Sequence, residues 1–107
     1  MDKRRFERVQ LPKSASVFAE EEGSRLGPVR ALGRGGMLVE TCSKFVEGSP
    51  HRLTLVEDSE RIHCDVIAVQ RYATERGIGY EFCSLDIDSA VEIGVILGKY
   101  YAEANEE

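Results

Sequence analysis

Apolar segments of strand length recur about every ten residues through the first four-fifths of the chain, and each is closed by a polar or glycine-bearing turn. That spacing leaves room for little except a small antiparallel barrel or sandwich. Segments 14–19, 26–32, 37–42, 52–56, 61–72 and 78–85 read as strands, six in all. An acidic turn at 20–24, a glycine-rich corner at 33–36, a loop at 45–50, a polar turn at 57–60 and a turn at 73–77 separate them. In the last strand Ile78, Tyr80 and Phe82 alternate with Gly79 and Glu81, the two-residue period of a half-buried strand.

After residue 85 the period changes. Ser89-Ala90-Val91-Glu92 has the S-x-x-E form of a capping box, with Asp86 and Asp88 adding favourable charge at a helix N-terminus. A helix over 89–104 is expected, with Val91, Val95, Leu97 or Gly98, and Tyr101 as its stripe toward the strands. Gly94 and Gly98 cost on the order of 1 kcal/mol each against Ala inside a helix, which calls for close approach of the helix backbone to the barrel or, second, a small-residue face for a dimer partner. With 107 residues the chain holds a single core, so one domain is expected. Its parts are a flexible basic arm (1–12) that leads into the barrel without joining it, the barrel (13–85), and a helix with its tail (86–107).

Charge is unevenly spread. The net charge is −5, yet segments 3–8 and 25–34 hold seven of the 14 Lys and Arg residues, and no acidic residue lies between Gly23 and Val39. An acidic body with two local cationic segments suits a small, multiply charged anion and argues against a nucleic acid polymer, whose binding draws on a broadly basic face. No apolar run is long enough to span a bilayer, so no membrane partner and a cytoplasmic location are expected. Cys42, Cys64 and Cys83 lie in apolar segments and read as buried thiols; His51 and His63 lack acidic neighbours at metal-site spacing and read as surface or strand-edge residues, leaving no cofactor or metal set.

The two cationic segments carry a resemblance. Arg4-Arg5-Phe6-Glu7-Arg8 supplies R-x-x-x-R ahead of the first strand, and Ala31-Leu32-Gly33-Arg34-Gly35-Gly36 stands where D/N-x-S-x-x-G would lie between the second and third strands. Gly77-Ile78-Gly79-Tyr80-Glu81-Phe82 follows as a late glycine-bearing strand before the helix. In these features the chain resembles the PilZ family of bacterial receptors for the second messenger cyclic di-GMP. The resemblance covers nearly the whole chain.

It implies a mainly β fold, a six-stranded antiparallel barrel of the split-barrel type with a C-terminal helix packed over one opening. It also implies a signalling receptor or adaptor that binds cyclic di-GMP without catalysis. The arm arginines would take the phosphates and guanine edges, and the corner would hydrogen-bond a guanine. The candidate ligand-binding residues are thus Arg4, Arg5, Arg8, Arg30, Ala31, Gly33, Arg34 and Gly36. Guanidinium suits this work, being a planar fork that matches phosphate oxygens and guanine O6/N7.

The chain departs from the pattern where Ala31 replaces the Asp or Asn and Gly33 replaces the Ser. Each lost partner to a base edge costs about 1–3 kcal/mol, roughly ten- to a hundredfold in affinity. Arg30 or Arg34 is available in the sequence to compensate. The alternative is a PilZ-fold protein interaction module that no longer binds the nucleotide and uses its arginines on a protein effector. A monomer or weak homodimer is expected. An enzyme is disfavoured because Asp86 and Asp88 are explained by the helix start, and a single-stranded RNA barrel because Trp is absent and the balance is acidic.

Overall fold

The computed structural model describes residues 8–104. It contains β1 (Arg8–Gln10), β2 (Val17–Glu21), β3 (Ser24–Gly33), β4 (Gly36–Val39), β5 (Pro50–Glu57), β6 (Ile62–Thr74), β7 (Gly77–Ser84) and α1 (Ile87–Ala104). The strands run in the order β1-β3-β2-β5-β6-β7-β4, and a further β3–β4 pairing closes six of them into an antiparallel barrel. All pairings are antiparallel. The expected six-stranded barrel with a C-terminal helix is therefore present, with one more strand than the spacing suggested.

That strand is the end of the basic arm. β1 pairs with β3 through Arg8↔Gly33, Val9↔Leu32 and Gln10↔Ala31, so these residues join the sheet and do not merely lead to it. The reason lies in the length of β3. Its first half pairs with β2 along one edge, and without β1 the second half of that edge would carry unpaired amides and carbonyls. Leu11 donates its amide to the Arg30 carbonyl at 2.8 Å and continues the pairing.

Alternation fills the interior. In β6, Ile62, Cys64, Val66 and Ala68 are buried while His63 and Asp65 face out. Burial pushes the Cys64 thiol up to about 12, first through desolvation and then through nearby carboxylates. Cys42 and Cys83, by contrast, are exposed. Cys42 lies beyond the end of β4 in the following loop, and Cys83 shares the outward phase of β7 with Gly79 and Glu81. The acidic turn is shorter than expected. Glu21 pairs with Ser24, leaving Glu22 and Gly23 with φ of 54° and 81°, a two-residue hairpin whose twist matches the strands.

The helix starts earlier and presents another face than its periodicity suggested. Asp86 is the N-cap, with its carboxylate accepting the Ser89 amide at 2.7 Å, and that bond holds its pKa below the usual carboxylate value. The Ser89 hydroxyl instead donates to the Asp65 carbonyl at 3.0 Å, tying the first turn to β6. Ile93, Ile96 and Tyr100 are buried against the barrel, whereas Val91, Val95 and Tyr101 are 60%, 51% and 52% exposed. Both sets recur at helical spacing. The cap and the packing of Tyr100 decide between them.

Neither helix glycine admits the barrel backbone. At Gly94 the nearest group to a hypothetical Cβ is the Arg34 guanidinium, 3.6 Å away, and at Gly98 nothing lies within 4 Å. Helix and barrel are joined instead by a polar cluster around Glu57. This residue, expected in a polar turn, ends β5 with a fully buried side chain. Its carboxylate accepts from the Tyr100 hydroxyl at 2.6 Å, the Ser59 hydroxyl at 2.7 Å, the Glu60 amide at 2.7 Å and the Lys99 ammonium at 3.4 Å. Desolvation alone would push the Glu57 carboxyl up; these hydrogen bonds and the Lys99 charge together outweigh it and hold the pKa at about 2. Among the described residues no helix is long and apolar enough to cross a membrane.

Candidate functional site

The arm strand decides where the candidate site lies. Val9 packs against the core, so its neighbours Arg8 and Gln10 point outward. Leu32 of β3, Met37 and Val39 of β4, and Ile78 and Tyr80 of β7 also point inward, which turns Ala31, Gly33, Gly36, Leu38 and Gly79 to the same outer wall. The register lines them up. Gln10 stands opposite Ala31, Ala31 opposite Leu38, Leu38 opposite Gly79, and Gly79 opposite Tyr72, a single row across five strands.

This row is a low floor. Ala31 and Gly79 project little or nothing from the wall and the Leu38 side chain lies between them, yet Ala31 and Leu38 are only 2% and 7% exposed. Something therefore covers them from outside. The Tyr72 ring lies down on Gly79, where a Cβ would come within 2.2 Å of the ring tip, and Arg8 reaches from the opposite side to donate to the Tyr72 hydroxyl at 2.7 Å. The Arg8 guanidinium carbon is 5.9 Å from the Tyr72 ring centroid. Arginine and tyrosine thus bridge the wall above three strands.

A cavity of about 270 Å³ opens here, lined by Arg8, Gln10, Ala31, Leu38, Tyr72 and the β6–β7 turn residues Thr74, Glu75 and Arg76. The same three turn residues border a larger cleft of about 990 Å³ that also contains Lys13, Arg30, Glu40 and Cys42. Arg30 points toward this second opening, where its Nε donates to the Glu40 carboxylate at 2.7 Å. Cationic groups line both spaces, and an apolar floor lies under the first. Such a surface can hold a flat ring by its face and a charged group by its edge.

The sequence-derived residues divide accordingly. Arg8, Ala31, Gly33 and Gly36 share one wall, with Arg8 directly opposite Gly33. Arg30 borders the adjoining cleft through its ion pair. Arg34 lies against Gly94 of the helix, away from the cavity. Gly36 has a packing reason of its own: a Cβ there would come 2.3 Å from the Tyr80 carbonyl oxygen of β7. Arg4 and Arg5 lie outside the described residues.

Gln10, Tyr72 and Arg76 were not singled out from the sequence. Gln10 becomes interesting only once β1 is paired with β3. Tyr72 had one available signal, an aromatic in a strand facing a glycine in the next, since a large ring often covers the bare backbone of a cross-strand glycine. Nothing in the sequence pattern marks Arg76.

No protein-family model and no curated protein sequence matches the chain. Solved structures do. The PilZ domain with c-di-GMP of YcgR from Escherichia coli superposes with a TM-score of 0.75 at 17% identity, covering 96% of this chain and 95% of that one. An uncharacterised Legionella protein superposes with a TM-score of 0.67 at 12% identity, covering 94% and 99%. The chain has the fold of a PilZ domain over almost its whole length.

Proposed function

We propose that the chain is a binding module for cyclic di-GMP, acting in signalling as a receptor or adaptor with no chemistry of its own. The observation that carries this reading is the convergence of Arg8 with Ala31, Gly33 and Gly36 on one outward wall beside the cavity. Arg8 is far in sequence from the other three, and the fold sets the arm's last arginine directly against the glycine-rich corner. The E. coli structure with the same fold is a PilZ domain with c-di-GMP, which supports the ligand class.

Arg8 supplies a planar cation beside a floor onto which a purine can lie. The bond to Tyr72 must open for Arg8 to turn to a phosphate or a base, so ligand entry exchanges one charge-assisted contact for another. With Ala31 and Gly33 offering no side-chain partner, affinity rests more heavily on the arginines than the D/N-x-S-x-x-G pattern would require. A second reading has an observation in its favour too. Arg8 is already engaged by Tyr72 and Ala31 is buried, as in a wall that has lost its ligand and kept its shape for a protein effector.

A calorimetric titration with cyclic di-GMP, with GTP as control and salt held constant, separates the two. Selective binding at micromolar or lower concentration that disappears in Arg8→Ala supports the receptor. Absence of binding at high nucleotide concentration transfers the case to the interaction module.

A further inference from the structure

We infer that Gln10 reads the purine edge in place of the side chain missing at Ala31, an inference that rests on the nucleotide-binding reading above. Ala31 and Gly33 contribute no polar side-chain atom, so a partner for the base has to come from a neighbouring strand. Gln10 is the residue opposite Ala31 in the β1–β3 register, it is exposed, and it lines the same cavity as Arg8. Paired strands are about 5 Å apart, and the glutamine side chain is long enough to lean across the alanine methyl.

Its chemistry is unspent. The Gln10 carboxamide has no hydrogen-bond partner among the described residues, whereas the other neutral polar groups at the cavity are engaged. The Tyr72 hydroxyl accepts from Arg8, and the Thr74 hydroxyl lies between the Gly77 carbonyl and the Arg76 amide. Glu75 presents acceptors only and disfavours a phosphate. Among the described residues that line the cavity, Gln10 is the one neutral side chain whose donor and acceptor are both wholly unengaged.

Those two groups, side by side, match the O6 acceptor and N1–H donor of guanine. They match equally well the N6 donor and N7 acceptor of adenine, the standard bidentate partner of an amide side chain. A carboxylate, with acceptors only, matches guanine's N1–H and N2–H₂ and has no complement for adenine's N7. The exchange from a side chain at position 31 to Gln10 thus sets both strength and selectivity: the wall takes cyclic purine dinucleotides and discriminates weakly between guanine and adenine.

The test titrates the full chain, Gln10→Ala, Gln10→Glu and Arg8→Ala with cyclic di-GMP and with cyclic di-AMP, with far-ultraviolet circular dichroism checking that each variant folds. The expected result is measurable binding of both dinucleotides by the unaltered chain and about tenfold weaker binding of both by Gln10→Ala. Gln10→Glu should move the affinity ratio about tenfold toward cyclic di-GMP, which a purely structural role would leave unmoved. Binding by the unaltered chain that stays within twofold in both Gln10 variants overturns the role of Gln10 and leaves the receptor reading intact. Failure of the unaltered chain to bind either dinucleotide overturns that reading and this inference together.

Discussion

Two polar clusters of the same barrel behave oppositely. At the helix junction, the buried Glu57 carboxylate is saturated with donors from Tyr100, Ser59, Glu60 and Lys99. On the outer wall, among the described residues, Arg8 makes one side-chain hydrogen bond, to a partly exposed tyrosine, and Gln10 makes none. A saturated, buried cluster loses a great deal if any member is removed and gains nothing from a ligand. A sparse, exposed one holds the fold weakly and keeps its groups available. The first is an anchor and the second is the candidate site.

Removing the anchor's centre is the harshest way to test that contrast. Glu57→Ala takes from the Tyr100 hydroxyl its acceptor and from Lys99 one of its two carboxylate partners, and should lower stability by about 3–5 kcal/mol, read from denaturant unfolding followed by circular dichroism. A loss below 1 kcal/mol would show that the junction relaxes and is no anchor. The same group sets the acid limb. Its folded pKa of about 2 lies below the ordinary 4.5, so its contribution is complete above about pH 4.5 and is lost as pH falls toward 2. That difference corresponds to about 3 kcal/mol. In Glu57→Gln this part of the pH dependence should vanish.

Two glycines on the site wall sharpen the comparison with intermediate effects. Gly36→Ala drives a Cβ into the Tyr80 carbonyl, a backbone group that cannot swing aside, and should cost about 2–3 kcal/mol in thermal unfolding. Gly79→Ala meets only the Tyr72 ring, a partly exposed side chain that can move. Its stability should change by about 1 kcal/mol or less, while the Arg8–Tyr72 bond opens. Equal losses at the two glycines would contradict the distinction between scaffold and mobile cover. Smallest in stability is Arg8→Ala, expected within about 0.5 kcal/mol because it removes a surface contact. Its effect should appear instead in nucleotide titration.

How much of this could be read from the sequence depends on the range of the interaction involved. Strand alternation is local, so the apolar phase of β6 and β7 and the barrel they imply were visible. The glycine corner was visible too, because a run such as Gly33-Arg34-Gly35-Gly36 punctuates a chain whatever surrounds it. The helix face was not. Val91 with Val95 and Ile93 with Ile96 form equally good apolar stripes, and the choice depends on Tyr100 of the helix reaching Glu57 on a strand distant in sequence. Asp86 displaced Ser89 as the cap because Ser89 was needed by the Asp65 carbonyl of β6.

The site divided in the same way. The resemblance led to the positions of Arg8, Ala31, Gly33 and Gly36, but Gln10 and Tyr72 acquire a meaning only through cross-strand register, which no local pattern specifies. Cys42 and Cys83 show the converse: apolar neighbours in sequence suggested burial, and strand end and strand phase put both thiols outside.

The most direct test of the contrast between anchor and site follows backbone amide shifts by NMR during titration with cyclic di-GMP. Shifts are expected to concentrate at Arg8, Gln10, Ala31, Gly33, Leu38, Tyr72 and Gly79, with Ser16, Glu57, Ser59 and Tyr100 unmoved. No shifts at saturating nucleotide, or shifts centred on the Glu57 junction and the helix, would contradict it.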